Sequence, residues 1–204
     1  MTDATPNRRG ARSREAVLDA AERLMADEGY EAATVARIVE EAGIPASSIY
    51  HYFGSKEGVL LAVLERGAQR FLDALPDGQP PPGPRAQRLR VLVAVIAATL
   101  ERRPDFLRLL LALATQPRSA ADGQVHATVN RVRATARDRL AGQLGAIFGV
   151  AADAPQARDL ARFAMAAFDG AFVAYQASPD ARLEQTLAYL PDALVAIARR
   201  AGAG

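Results

Sequence analysis

The sequence predicts an all-α protein, on three observations. Alanine, the strongest helix former, fills 45 of 204 positions, and β-branched runs are scarce. Apolar side chains recur at three- and four-residue spacing over most of the chain. Glycine, proline and hydroxyl residues interrupt that spacing where helix caps belong.

From Ser13 to Glu28, residues Val17, Leu18, Ala21, Leu24 and Met25 mark the inner face of a first helix, closed by Gly29. Four arginines between Arg8 and Arg14 read as a short basic arm ahead of it. Thr34 is a suitable N-cap for a short second helix with Val35, Ile38, Val39 and Ala42 inward. Gly43 permits a tight turn, and Pro45 suits the first turn of a third helix. Ser55 caps a fourth, running through Val59, Leu60, Val63 and Leu64 towards Leu75. Five of the twelve prolines then fall within Pro76–Pro84, which cannot continue a helix and reads as a semi-extended linker. Beyond it the spacing predicts helices near 86–102, 104–115, 121–149, 155–177 and 181–200. Asp153 and Gln156 stand at capping-box spacing. Pro191 kinks or splits the last helix.

Composition removes several classes of function. With no cysteine there is no disulfide scaffold, thiolate metal site or cysteine nucleophile. The two histidines, His51 and His126, are far apart in sequence, so neither has a partner at local metal-ligand spacing. No acid–base pair, nucleophile motif or cofactor loop is evident, so no catalytic residue, metal or cofactor is expected. A membrane-spanning helix needs about 20 largely apolar residues. The longest stretch without a charged side chain, Ala42–Ser55, is shorter and holds Gly, Pro and three serines. With no apolar leader, a cytoplasmic protein without a membrane partner is expected. The net charge of +2 says little about partners.

The informative stretch is Thr34–Lys56, TVARIVEEAGIPASSIYHYFGSK. Two short helices joined by a Gly turn form a helix-turn-helix pattern. At about 100° per residue, Ile49 and Phe53 point inward together. Ser47 and His51 then face outward, flanked by Ala46 and Tyr50 on one side and Ser48 and Tyr52 on the other. No carboxylate lies between Pro45 and Lys56. Such a face suits a DNA groove, where hydroxyls and aromatic rims approach phosphates and base edges closely. Lys56, the only lysine, falls in the first turn of a helix, where the macrodipole disfavours a cation. A phosphate bound there would relieve the conflict. Packing of Tyr50 on the first helix, and capping alone for Thr34 and Ser55, remain open alternatives.

The segment GIPASSIYHYFGSKE, Gly43–Glu57, resembles the DNA-binding signature of the TetR family of transcriptional regulators. The likeness reaches back over the first helix and covers about a third of the chain. It implies an N-terminal three-helix helix-turn-helix DNA-binding domain and a C-terminal helical ligand-binding and dimerisation domain. The division expected is 1–54 for the arm and helix-turn-helix, 55–75 for a connecting helix, 76–85 for the linker and 86–204 for the rest. By the same resemblance Thr34, Tyr50, Tyr52 and Lys56 contact the DNA backbone. Ala46, Ser47, Ser48 and His51 look into the major groove, with Tyr50 shared. Arg37 reaches a base or phosphate, and the N-terminal arginines reach the minor groove.

In the second domain, large apolar residues stand among many alanines and are core by default. The resemblance implies that some of them, here Phe106, Leu110, Met165, Phe168 and Phe172 with His126, line a pocket for a small, largely apolar effector. Ala167, Ala171 and Ala174, with Leu187 and Leu194, form the expected interface of a homodimer. The function implied is a repressor released by its effector from a pseudo-palindromic operator in double-stranded DNA. An activator, or a DNA-binding regulator without a small-molecule effector, is the alternative. An enzyme or carrier in the C-terminal bundle has no residue pattern in its favour.

Overall fold

The structure, a computed structural model, describes residues 5–75, 80–116, 123–178 and 180–201. It is helical throughout these residues: α1 (Thr5–Glu28), α2 (Val35–Ala42), α3 (Ala46–Phe53), α4 (Lys56–Ala74), α5 (Arg85–Arg102), α6 (Pro104–Thr115), α7 (Gly123–Phe148), α8 (Pro155–Ala177), α9 (Leu183–Thr186) and α10 (Leu190–Ala201). The all-α class is therefore observed.

Several boundaries depart from expectation for identifiable reasons. α1 begins at Thr5, so the stretch read as an arm continues the helix. Pro6 stands in its first turn, where a missing N–H leaves no bond unmade, and nothing after it breaks the helix. Pro45 is the N-cap of α3, not its first residue. The capping box at Asp153 does not form: Ala154 is the N-cap of α8. Gln156 Nε2 instead donates to the Ala198 carbonyl of α10, at 3.0 Å. Pro191 splits the last segment into α9 and α10 and sits in the first turn of α10. Residues 76–79 of the expected linker and 121–122 of the seventh helix lie outside the described residues.

Two compact units emerge. One contains residues 1–70 and 104–130, the other 71–103 and 131–204. The sequence division at the proline-rich stretch is different, because it leaves α6 with the C-terminal residues. In the first unit α6 packs against α1. Arg108 pairs with Asp27 at 2.8 Å, and with Asp105 in its own helix at 2.6 Å. Gly67 of α4 meets Phe106 of α6 so closely that a Cβ would stand 2.1 Å from the ring. Phe106 is fully buried there.

The first unit's core comes from Val17, Leu18, Ala21 and Met25 of α1, Ile38 of α2, Ile49 of α3, and Val59, Leu60, Val63 and Leu64 of α4. Over this core lies a polar clamp. Arg66 of α4 donates to Glu15 (3.0 Å), Asp19 (2.7 Å) and Glu22 (2.6 Å), one face of α1. Its side chain is only 10% exposed. Burial opposes the guanidinium charge, but the carboxylates outweigh it and raise the pKa above the ordinary arginine value. Arg70 adds a second bond to Glu15 at 3.1 Å.

In the second unit, Leu89, Leu92, Ile96 and Leu100 of α5 are buried with Leu144, Ile147, Leu160, Phe172, Leu183, Leu187 and Leu194. Arg133 of α7 pairs with Asp169 of α8 at 2.5 Å.

Arg66→Ala is expected to lower the unfolding free energy by about 2 kcal/mol or more, since it takes the counter-charge from Asp19 and Glu22 and leaves Glu15 to Arg70. Urea denaturation followed by circular dichroism measures it. Gly67→Ala is expected to cost about 1–3 kcal/mol through overpacking on Phe106, with partial recovery in Gly67→Ala/Phe106→Leu.

Candidate nucleic-acid interface

The local chemistry of residues 34–58 sets the geometry of α2 and α3. Thr34 has extended backbone, and its hydroxyl accepts from the Arg37 backbone N–H at 3.3 Å, starting α2. Gly43 closes α2 at φ 64°, in the left-handed region that a side chain disfavours, and its N–H reaches the Val39 carbonyl at 3.0 Å. Ser55 Oγ accepts from Gly58 N–H at 3.0 Å, so it caps α4. The capping alternatives for Thr34 and Ser55 are thus both observed.

On α3 the inward and outward faces fall as the periodicity requires. Ile49 is buried and Phe53 half-buried, with the Arg14 guanidinium 5.4 Å from the Phe53 ring centroid. Ala46, Ser47 and His51 are exposed and Ser48 is half-buried. Tyr50 is 54% exposed and is not a core residue. Tyr52 stacks edge-on against both neighbours, His51 at 5.3 Å and Phe53 at 6.2 Å between centroids. Its hydroxyl lies beside Gly10 of α1. The outward surface of α3 therefore presents hydroxyls, an imidazole and phenols with no carboxylate on the helix.

The two cations of this region are both held by the α1–α2 turn. Lys56 Nζ donates to the Glu31 carbonyl at 3.0 Å and lies 4.3 Å from the Tyr30 ring centroid. Its expected conflict with the helix dipole is thus met by a neutral acceptor and an aromatic face. Arg37 makes a two-pronged pair with Glu28, Nη2 to Oε1 at 2.6 Å and Nη1 to Oε2. The hydrogen bond from Arg37 holds the Glu28 carboxyl below its ordinary pKa, and the same bond raises that of Arg37. Sequence reading found both cations but not their partners. Glu28 is nine residues from Arg37 and outside any helical spacing, so only the folded turn brings the two together.

The remaining assigned residues divide between the two units. Phe106, Leu110 and His126 belong to the first, Met165, Phe168 and Phe172 to the second. Phe106, Leu110, Phe168 and Phe172 are buried, Met165 and His126 half-buried. A groove of about 500 Å³ in the second unit is lined by Arg137, Asp138, Ala141, Ala152, Asp153, Arg158 and Arg162. It is strongly charged and contains none of the assigned effector residues.

Of the residues assigned to an interface between copies, Ala171, Leu187 and Leu194 are buried within one chain. Ala167 is half-buried and Ala174 exposed. The exposed face of α8 is instead Phe163, Ala166, Gly170, Val173, Ala174 and Ala177, at helical spacing. The periodic alanines divide between the faces, Ala171 in the core and Ala174 outward, and Phe163 and Val173 were not read as part of the outward one. Among the described residues no helix is long and apolar enough to cross a membrane. No group of three His, Asp or Glu among them could hold a metal ion.

Comparison with known proteins follows the same outline. Residues 17–63 match the family model described as bacterial regulatory proteins, tetR family. The HTH-type transcriptional repressor AcnR of Corynebacterium efficiens is 33% identical over 109 residues, 52% of this chain and 52% of that protein. The HTH-type transcriptional repressor KstR of Rhodococcus jostii is 31% identical over 120 residues, 58% of this chain and 53% of that one. The chain thus spans about half the length of these relatives. A solved structure of the transcriptional regulator FadR from Bacillus subtilis, in complex with stearoyl-CoA, superposes with a TM-score of 0.67. It is 18% identical, with 89% of this chain and 97% of that chain covered, which establishes the shared fold.

Thr34→Ala is expected to cost about 1 kcal/mol through the lost N-cap of α2. Thermal unfolding by circular dichroism reads it, and Thr34→Ser is expected to restore the wild-type midpoint.

Proposed function

Because residues 17–63 belong to the tetR family of bacterial regulatory proteins, we propose that the whole chain is a homodimeric transcriptional repressor, released from a pseudo-palindromic operator by a small effector. The observation that carries this reading is the outward face of α3. Ser47, Tyr50, His51 and Tyr52 are exposed on an eight-residue helix with no carboxylate, set beyond the left-handed Gly43 turn. That face suits major-groove entry, with Tyr50, Tyr52, Thr34 and Lys56 towards phosphates and Ala46, Ser47, Ser48 and His51 towards base edges. The similar repressors AcnR and KstR support a repressor reading.

Dimerisation is assigned to the exposed face of α8. Phe163 (43% exposed) and Val173 (57%) bracket the small residues Ala166, Gly170 and Ala174, and the ring of Tyr189 is 80% exposed. Among the described residues, no atom outside the local helix backbone lies within 4 Å of where a Cβ on Gly170 would stand. A mid-helix glycine costs about 1 kcal/mol against alanine, and close approach by a second copy accounts for it. The effector is assigned to the apolar residues Met165, Phe168 and Phe172 of α8 in the second unit, and the similar FadR, which holds stearoyl-CoA, supports a small-molecule ligand. The chain is a regulator and not an enzyme.

Fluorescence anisotropy on a duplex selected by the wild-type protein from a randomised pool tests the DNA reading. Tyr50→Ala and His51→Ala are expected to weaken binding roughly tenfold or more without changing the melting temperature. Equal affinity for selected and scrambled duplexes would refute the proposal. Val173→Glu is expected to shift the protein from dimer to monomer in light scattering while its helical content is kept.

A further inference from the structure

Glu28 is the last residue of α1, where a carboxylate opposes the macrodipole, so its position is not explained by the stability of that helix. It is exposed, and its two oxygens are both taken by the Nη groups of Arg37. Arg37 is the only arginine on α2 and α3. The neighbouring acids are otherwise placed: Glu41 pairs with Arg23 at 2.9 Å, and Glu40 adds only a longer-range field at Arg37. The other cation of the surface, Lys56, is held by the neutral Glu31 carbonyl and the Tyr30 ring. The two cations are therefore unequal. Lys56 keeps its charge for a phosphate, whereas the charge of Arg37 is cancelled by a carboxylate in the geometry that a phosphate or guanine edge also offers.

From this arrangement we infer that Glu28 holds down the affinity for DNA by competing with it for Arg37. The inference rests on the reading that α2 and α3 meet DNA. On a duplex without a well-placed two-pronged acceptor, Arg37 stays with Glu28, and the pair neutralises no phosphate. Only a site whose phosphate or base edge matches the guanidinium fork draws Arg37 across. The carboxylate left behind then faces the polyanion unpaired. On arbitrary sequence the contact of Arg37 is forgone, and on a matched site the cost of opening the pair is subtracted, so Glu28 weakens binding to both.

The test uses full-length wild type, Glu28→Gln, Arg37→Ala and the double variant. Each is titrated over a salt series against a labelled scrambled duplex and a duplex selected by the wild type. Glu28 and Arg37 are surface residues, and melting curves confirm that each variant is folded. For Glu28→Gln, affinity for the scrambled duplex is expected to rise about two- to fivefold. The slope of log affinity on log salt should steepen by about one, as one more phosphate is neutralised. Affinity for the selected duplex should rise at least as much. The gain from Glu28→Gln should be clearly smaller in the Arg37→Ala background than in the wild type. Weaker or unchanged scrambled binding by Glu28→Gln overturns the inference, because Glu28 then orients Arg37 or is idle. An equal gain in the Arg37→Ala background also overturns it, because Glu28 then acts by its own repulsion. Wild type that binds neither duplex at low salt refutes the DNA reading itself, and the inference with it.

Discussion

A guanidinium moved largely out of water must take counter-charge with it, and Arg66 takes three carboxylates from a single face of α1. Glu15, Asp19 and Glu22 follow one another at four and three residues, so α4 can dock on α1 in one register only. Apolar packing of Val17, Leu18, Val59 and Val63 tolerates small slides; three directed hydrogen bonds do not. Everything downstream in the first unit inherits that register. Lys56 reaches the α1–α2 turn because α4 starts where it does, and Gly67 receives Phe106 because α4 presents that turn to α6. Residues 1–60 carry ten acidic and seven basic side chains, and several of those acids hold helices together, so a regional charge count says little about any one surface.

The α1–α2 turn is the second organising element. Within residues 28–31 it supplies a carboxylate, an aromatic face and a carbonyl, and each engages a cation from another helix. The outward face of α3, by contrast, is nearly uncharged. Formal charge and uncharged polar groups are thus placed on different elements: charge around the turn and α2, hydroxyls and rings on α3.

Most of the architecture was legible because it is written in short-range chemistry. Thr34, Gly43 and Ser55 act within four residues of themselves, and all three do what their residue types dictate. Buried Ile49 and exposed His51 follow from a 100° step. What failed was of two kinds. Boundary readings failed where a signal had a stronger rival. Four arginines resembled an arm, yet Pro6 supplied a helix start, and Gln156 preferred a carbonyl of α10 to a capping box. Pairings went unread where the partner is remote in sequence, as with Arg37 and Glu28, Arg66 and α1, or Phe106 and Gly67. The alanine face of α8 failed for a subtler reason. In a helix where nearly every face carries alanine, composition cannot say which face is inward, and only the burial of Ala161, Ala164 and Ala171 against the exposure of Phe163 and Val173 decides it.

Lys56 has a consequence of a practical kind. It carries the only ε-amine in the chain, and all other side-chain cations are guanidinium groups or imidazoles. Acylating reagents that modify lysine thus address a single side chain, half-buried against Tyr30 and bonded to the Glu31 carbonyl. The mass spectrum of one tryptic region then reports on the α1–α2 turn, and the extent of labelling measures how often the amine leaves its cradle. A composition that strips lysine from the rest of the surface has made this corner of the molecule its own chemical probe.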